Sequence, residues 1–169
     1  MTVTADVNNG DFAAIVAIEQ LIYRYSDAVT RGDRVQFEAL WTPDIAWEVV
    51  PQGIRVEGLE NVCETVAQLL ETYESFVQVA TNPVITLLDD EHATASTIVH
   101  EMGKRKLGAE PNPSASGDID LYGVYEDKIV WFEQRWRFSH RRFVSIFGSR
   151  EPLGRETFTP HRSLLKSPA

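Results

Sequence analysis

Residues 118–147 of this 169-residue chain read DIDLYGVYEDKIVWFEQRWRFSHRRFVSIF. Apolar and aromatic side chains run through two long segments, Asp118 to Phe132 and Trp136 to Phe147, and the polar residues Glu133-Gln134-Arg135 separate them. Runs rich in β-branched and aromatic residues around a short polar connection are typical of paired strands. The stretch therefore predicts two long antiparallel strands.

A second pair of strands is predicted just upstream. The segments Phe76 to Leu88 and Ala93 to Met102 flank the turn Asp89-Asp90-Glu91. The stretch from Gly108 to Gly117, rich in Pro, Gly and Ser, is expected to be a long, mobile hairpin loop that leads back into Asp118. The second half of the chain is therefore expected to form an antiparallel sheet.

The first half of the chain has mainly helical periodicity. Apolar residues at spacings of three and four predict a helix from Asp11 to the break at Arg31-Gly32-Asp33. A short helix capped by Asp33 is expected to run until Pro43, with Trp41 on its buried side. A strand from Asp44 to Val50 and a third helix after Gly58 follow.

Three helices followed by long strands favour an α+β fold. We expect a cone-shaped barrel, in which a strongly curved antiparallel sheet is covered by the three helices of the N-terminal half. A single domain is predicted over residues 11–150, with a flexible tail at 1–10 and an irregular extension at 151–169. Such a sheet leaves a concave, apolar interior, which is where small-molecule sites form.

Composition disfavours several classes of partner. Sixteen Lys and Arg against 25 Asp and Glu give a net charge of −9, which repels nucleic acid and anionic lipid. The single cysteine, Cys63, cannot form an intramolecular disulfide and fits a reducing, cytoplasmic compartment. No apolar run long enough to span a membrane and no signal peptide is apparent. Without a phosphate loop, a metal-spaced cluster or a serine elbow, neither a cofactor nor a metal is expected.

Several short motifs follow one another along the chain in a characteristic order. They are Ile18-x-x-Leu21-x-x-x-Tyr25-x-x-Ala28-x-x-x-Gly32-Asp33, Phe37-x-x-Leu40-Trp41-x-x-Asp44-x-x-Trp47, Gly58-Leu59-Glu60, Thr81-Asn82, Gly123-x-Tyr125-x-Asp127 and Trp136-Arg137-Phe138-Ser139-His140-Arg141. Together they resemble the SnoaL-like branch of the nuclear transport factor two-like superfamily. That superfamily includes scytalone dehydratase, a hexachlorocyclohexane dehydrochlorinase, polyketide cyclases, ketosteroid isomerase and small subunits of aromatic-ring dioxygenases. One fold therefore serves many activities.

The resemblance also implies a departure from the family's usual chemistry. In the dehydratase-like members, an aspartate at the end of the first helix and a histidine early in the first long strand form the acid/base pair. Here those positions hold Thr30 and Gln78. Neither side chain titrates near neutral pH, so neither can accept the proton that such a reaction removes. A mechanism of the scytalone dehydratase type is therefore in doubt.

Four residues are candidates for catalysis. Tyr25 lies on the apolar stripe of the first helix and could direct its hydroxyl into the cavity, or bond it to backbone. Tyr125 and Asp127 share one strand face, where a phenol could polarise a carbonyl and a carboxylate could act as base, unless Asp127 is solvated at the strand end. His100 could replace the missing base, although its face is undetermined and a surface or subunit contact is the alternative.

A second set of residues is expected to bind the ligand. Trp47 and Val49 share a strand face and would form an apolar wall, with core packing as the alternative for Trp47. Gln78 and Asn82 share a face if no bulge intervenes, and would bind a ligand oxygen or each other. Thr30 is added to this set because the resemblance places it where the dehydratase-like members have their aspartate.

The leading hypothesis is a cofactor-independent lyase or isomerase, of the dehydratase or cyclase type, acting on an apolar cyclic small molecule. The alternative is a non-catalytic binding or assembly subunit, similar to the dioxygenase small subunits, since the Asp/His pair is lost. A homodimer or homotrimer is expected, because exposed residues such as Val130, Phe132 and Phe143 would otherwise form an apolar patch. The basic cluster Arg137 to Arg142 is interpreted as a solvated or interface surface.

Overall fold

A computed structural model describes residues 9–106 and 118–148. Residues 1–8 of the predicted tail, the predicted loop over 108–117 and the predicted extension over 151–169 lie outside the described residues.

Three helices precede the long strands, as the periodicity predicts. Helix α1 spans Asn9–Arg31, α2 spans Arg34–Glu38 and α3 spans Leu59–Glu71. The Asp33 carboxylate caps α2 by accepting a hydrogen bond from the backbone N–H of Gln36 at 2.9 Å. Helix α2 is shorter than predicted because the chain turns into a strand at Trp41 instead of continuing to Pro43.

Six strands form one sheet, and no helix of the described residues is long and apolar enough to cross a membrane. The strands are β1 (Trp41–Val49), β2 (Ile54–Glu57), β3 (Tyr73–Leu87), β4 (His92–Arg105), β5 (Ile119–Phe132) and β6 (Arg135–Gly148). Their order in the sheet is β2-β1-β6-β5-β4-β3. The short strand β2 was not predicted.

The sheet is antiparallel except between β1 and β6, which pair in parallel. A hairpin forces antiparallel pairing on its two strands, but β1 and β6 come from opposite ends of the domain and no hairpin joins them. The sheet is thus antiparallel as predicted, except at this one boundary, which the sequence did not indicate. The α+β class, with a curved sheet and helices in the N-terminal half, is confirmed.

Strand β3 contains a bulge that reverses its facing. Gln78 pairs with Glu101 and Thr81 with Ile98, whereas Val84 pairs with Ser96, so one extra residue is inserted in β3 between these points. Asn82, within the insertion, has a φ of 51° and is exposed. Phe76, Gln78 and Ala80 therefore face inward before the bulge, and Ile85 and Leu87 face inward after it.

The helices and the concave face of the sheet enclose the core. The inner side of α1, including Ile18, Ile22 and Tyr25, is almost completely buried against the sheet. Phe143, predicted to be on an exposed face, is only 4% exposed and packs in this core, while Val130 and Phe132 are partly buried. The correction follows from β6, whose alternation turns Phe143 toward the helices.

Candidate active site

A cavity of about 200 Å³ lies between the helices and the concave face of the sheet. Its lining is mostly apolar, and four polar or charged side chains besides three tyrosines interrupt it. The lining residues are Tyr25, Val29, Trp47, Val49, Gln52, Ile54, Val66, Leu69, Leu70, Tyr73, Phe76, Gln78, Glu101, Arg105, Ile119, Leu121, Tyr125 and Phe143. A largely apolar hollow with a few convergent polar groups is the usual form of a small-molecule site.

Three of these side chains, Gln78, Glu101 and Tyr125, form one hydrogen-bonded string on the wall made by β3, β4 and β5. The amide Nε2 of Gln78 donates hydrogen bonds to Glu101 Oε1 at 2.7 Å and to the Tyr125 hydroxyl at 3.2 Å. The Tyr125 hydroxyl also lies 3.4 Å from Glu101 Oε1, to which it donates. A carboxylate, an amide and a phenol thus meet within hydrogen-bonding distance beside an apolar hollow.

Two residues of α1 extend this string. The Tyr25 hydroxyl lies 3.4 Å from that of Tyr125, and Ser26 Oγ donates to Gln78 Oε1 at 3.2 Å. With its oxygen held by Ser26, the Gln78 amide must present its NH₂ to Glu101 and Tyr125. Helix α1 therefore fixes which way the glutamine points.

Strand pairing explains why these side chains meet. Gln78 and Glu101 are direct partners across β3 and β4, and both face inward. Directly opposed side chains in an antiparallel pair have Cβ atoms roughly 5 Å apart, which suits an amide–carboxylate hydrogen bond. Burial raises the pKa of Glu101 above its ordinary value, and the hydrogen bonds from Gln78 and Tyr125 only partly oppose this rise.

An ion pair lies behind the tyrosines, outside the cavity lining. Arg141 and Asp127 are 1% and 3% exposed, and the guanidinium donates two hydrogen bonds of 2.8 Å to the carboxylate. The guanidinium also lies about 4 Å from three ring centroids, those of Tyr25, Tyr125 and Phe138. Burial lowers the pKa of Arg141, but the carboxylate of Asp127 more than compensates, so the pKa is raised and the arginine stays charged.

Burial likewise raises the pKa of Tyr25 and Tyr125, with the nearby Arg141 charge opposing the rise. Both phenols therefore keep their protons at neutral pH. Each is a neutral O–H donor at the cavity wall, with the Tyr125 proton directed at Glu101 and the Tyr25 hydroxyl beside that of Tyr125.

Three of the predicted ligand-binding residues line the cavity, namely Trp47, Val49 and Gln78. Thr30 does not: its Oγ1 accepts a hydrogen bond from the Gln78 backbone N–H at 3.0 Å, and it ties α1 to the edge strand β3. Asn82 lies within the bulge, is exposed and does not share a face with Gln78.

The four predicted catalytic residues separate into two pairs. Tyr25 and Tyr125 line the cavity. Asp127, which was expected to be a base or a solvated residue, is bonded to Arg141 and does not line the cavity. His100 faces outward, where its Nε2 lies 2.6 Å from Asp120 Oδ1 and its ring stacks on Tyr122 at 4.1 Å.

Glu101 is the central polar residue of the site that the sequence did not single out, and Gln52 and Arg105 of the cavity lining were missed as well. The signal was its position next to His100, since alternation on β4 turns one of these two neighbours inward and the other outward. Because the face of His100 was undetermined, the carboxylate beside it was not weighed. Within the described ranges, no group of three or more His, Cys, Asp or Glu side chains comes together to hold a metal ion.

Comparison with known proteins places this geometry in context. The protein-family model of the SnoaL-like domain matches residues 11–142 of this chain. Among solved structures, a candidate scytalone dehydratase from Novosphingobium aromaticivorans superposes with a TM-score of 0.75 at 18% identity, covering 91% of this chain and 97% of the other.

Two dehydrochlorinase structures are similar as well. LinA gives a TM-score of 0.72 at 19% identity, covering 89% of this chain and 97% of its own. The hexachlorocyclohexane dehydrochlorinase LinA-type3 from Novosphingobium barchaimii gives 0.71 at 20% identity, with the same coverage of 89% and 97%. No curated protein matches the chain. Likeness at these identities establishes the fold.

Proposed function

We propose that this chain, which belongs to the SnoaL-like family, is a cofactor-independent lyase or isomerase that moves a proton on an apolar cyclic small molecule. The observation that carries the proposal is the Glu101 carboxylate, which lines an apolar cavity within hydrogen-bonding distance of Gln78 and Tyr125. Similar structures whose names denote dehydratases and dehydrochlorinases support the reaction class.

In the proposed mechanism Glu101 is the proton acceptor. Its pKa, raised by burial, brings the carboxylate closer to the working pH and makes it a stronger base than a solvated glutamate. The substrate would present a carbon acid next to a carbonyl, and the C–H electron pair would move toward the carbonyl oxygen as Glu101 takes the proton. Expulsion of a neighbouring hydroxyl by the enolate electrons, with the proton passing from Glu101 to the departing oxygen, would release water and give dehydration, and return of the proton to another carbon would give isomerisation.

The two tyrosines would stabilise the oxygen on which charge develops. Tyr125 and Tyr25 both keep their protons, so each is a neutral O–H donor. Their rings flank the Arg141 guanidinium, whose positive charge favours negative charge on an oxygen nearby. Asp127 would serve to hold that arginine in place instead of acting as the base.

The proposal also accounts for the departure from the family's acid/base pair. Position 78 carries glutamine, but its strand neighbour Glu101 supplies a carboxylate at the same place on the wall. Gln78 would then orient this carboxylate. Thr30 would connect α1 to β3 and would take no part in proton transfer.

Solvent exchange tests the proposed chemistry without knowledge of the product. Loss of the α-protons of an apolar cyclic ketone, 2-tetralone, into D₂O is followed by NMR with the wild type, Glu101→Gln and Tyr125→Phe. Glu101→Gln should slow the enzyme-dependent exchange by about 10²-fold or more, the usual scale of general-base catalysis. Glu74→Gln, an exposed carboxylate paired with Lys104, is the matched control and should leave the rate unchanged.

Two outcomes would contradict the proposal. One is a wild-type protein that does not accelerate exchange, and the other is a Glu101→Gln variant that keeps its rate to within twofold. Circular dichroism of each variant checks that the fold is retained.

Association between copies of the chain is the second part of the proposal. The outer face of β3, β4 and β6 exposes apolar side chains, among them Val79 at 42% and Phe147 at 63%. We propose that this face is the contact of a homodimer or homotrimer, in place of the surface predicted around Phe143. Sedimentation equilibrium should show a smaller species for Val79→Lys, and a wild-type monomer would refute the contact.

A cytoplasmic location also stays a proposal, supported by the single cysteine.

A further inference from the structure

A positive charge lies in the cavity wall on the same strand as Glu101. Glu101, Gly103 and Arg105 alternate along the inward face of β4, and both charged residues line the cavity. Four residues of extended strand separate their Cα atoms by about 13 Å. The Tyr73 ring covers the strand between them, because Gly103 has no side chain there: a Cβ would lie 2.8 Å from that ring.

No carboxylate pairs with Arg105 among residues 9–106 and 118–148. Its Nη2 reaches only the Tyr73 hydroxyl at 3.5 Å, its guanidinium lies 5.2 Å from the centroid of that ring, and its Nε–H is buried without an acceptor. By contrast, Arg137, Arg141 and Arg142 on β6 each pair with an acidic side chain.

A buried N–H of a charged group is costly when it lacks an acceptor. Glu101 does not supply one, since its hydrogen bonds come from Gln78 and Tyr125 at the other end of the lining. The rest of the protein surface does not attract anions either, because the chain has a net charge of −9. The cation is therefore a local feature of the cavity that an occupant with an acceptor group would complete.

We infer that the cavity takes a small molecule with a carboxylate at one end, that Arg105 binds this carboxylate, and that the apolar body of the molecule lies between Arg105 and Glu101. This inference rests on the proposed function for the identity of the reacting end. A guanidinium matches a carboxylate with two parallel N–H donors. Separation along β4 keeps the substrate's charge away from Glu101, so the two carboxylates do not have to share one place.

Arg105 is thus a specificity residue, which selects acidic aromatic or alicyclic substrates over neutral ones of the same shape. It also sets the direction in which the molecule enters, with the anionic end toward Tyr73 and the reacting end toward Tyr125.

A matched pair of probes tests this inference by equilibrium binding. Calorimetry at pH 7.5 compares 2-naphthoate with 2-naphthamide, which has nearly the same shape but no charge. The wild type should bind the naphthoate at least about tenfold more tightly, the scale of a hydrogen bond to a charged group. Arg105→Gln should remove this preference and leave the affinity for 2-naphthamide within twofold of wild type, whereas Arg105→Lys should retain part of the preference.

Lys104→Gln is the control for a general effect of charge. Lys104 is the outward neighbour of Arg105 and pairs with Glu74, so its loss changes the net charge equally but should leave the preference intact. Equal wild-type affinities for the two probes, failure of the naphthoate to bind, or a preference that survives Arg105→Gln would each overturn the inference.

The readout separates this inference from the proposed function. Binding does not require turnover, so a naphthoate preference that depends on Arg105 would stand even if Glu101→Gln left proton exchange unaffected. Conversely, loss of exchange in Glu101→Gln together with equal binding of the two probes would support the chemistry and refute the role of Arg105.

Discussion

Removal of Asp127 alone should destabilise this protein severely, and removal of its partner as well should restore much of the loss. The Asp127→Ala variant leaves the Arg141 guanidinium almost fully buried with no counter-charge. Breaking a buried pair in this way costs about 3–5 kcal/mol, because the remaining charge is uncompensated. For a chain of this size that corresponds to a fall in Tm of about 6–20 °C.

The double variant Asp127→Ala/Arg141→Met buries no charge, and methionine can fill the space among the three rings that now contact the guanidinium. Replacing a buried ion pair by apolar residues is often close to neutral. We therefore expect the double variant to unfold within about 2 kcal/mol of wild type. Arg141→Met alone should cost less at pH 5 than at pH 8, because the stranded carboxyl of Asp127 can then take up a proton.

Urea denaturation of the four proteins, followed by circular dichroism, gives the coupling free energy between the two side chains. We expect about 2 kcal/mol or more, in the direction that makes the double variant more stable than the sum of the single variants predicts. Single-variant costs that add to within about 0.5 kcal/mol would show that the two side chains are energetically independent. An Asp127→Ala variant that loses less than about 1 kcal/mol would likewise refute the argument from burial.

Three further predictions concern the site. Burial raises the pKa of Glu101 above its ordinary value near 4.5, so its contribution to stability falls as pH rises through the folded-state pKa; Glu101→Gln should therefore melt above wild type at pH 8 and close to it at pH 4. Gly123→Ala would place a Cβ 2.2 Å from the Phe143 ring, so we expect a loss of about 1–3 kcal/mol in urea and weaker binding of 2-naphthamide; an unchanged midpoint would disprove the close contact. Thr30→Val removes the acceptor of the Gln78 N–H and should cost about 1 kcal/mol, with Thr30→Ser as the control that restores it.

The fold could be predicted because its signals are local and repeated. Helical spacing before Tyr73 and long apolar runs after it determine the layers, and the turns at Asp89–Glu91 and Glu133–Arg135 fix two hairpins. Trp41 was misassigned because spacings of three and four from Phe37 fit a helix, whereas a backbone hydrogen bond from Phe138 N to Leu40 O starts the pairing with β6. A partner almost a hundred residues away leaves no mark on a local pattern.

The candidate site was predicted only in part, for a reason that a count of residues makes plain. A regular hairpin centred on Asp90 would pair Gln78 with Met102, since 180 − 78 = 102; the bulge shifts the partner to Glu101. One inserted residue therefore decides whether a thioether or a carboxylate meets the glutamine. The local signal for this bulge was Asn82-Pro83, because Asn tolerates the left-handed backbone that Asn82 adopts and Pro inside a strand is confined to edge strands and bulges.

Arg141 illustrates a different difficulty. A run of basic residues from Arg137 to Arg142 was interpreted as a solvated or interface surface. An irregularity in β6 between Phe138 and His140 instead turns Arg141 into the core on the same side as Phe138, and the register between β5 and β6 brings Asp127 opposite it. Burial of a charge depends on such a partner, which charge patterning along one segment does not reveal.

The bulge at Asn82 also determines which side chains of β3 face the cavity, and it does so without changing the order of the helices and strands. If the same residues paired without the bulge, the part of β3 before Asn82 would shift by one position against β4, so that Val77 and Val79 would face the cavity and Gln78 would face outward. Helices, strands and their order would all survive such an event. The side chains that this cavity offers to a bound molecule thus depend on one bulge as much as on the identity of the residues that line it.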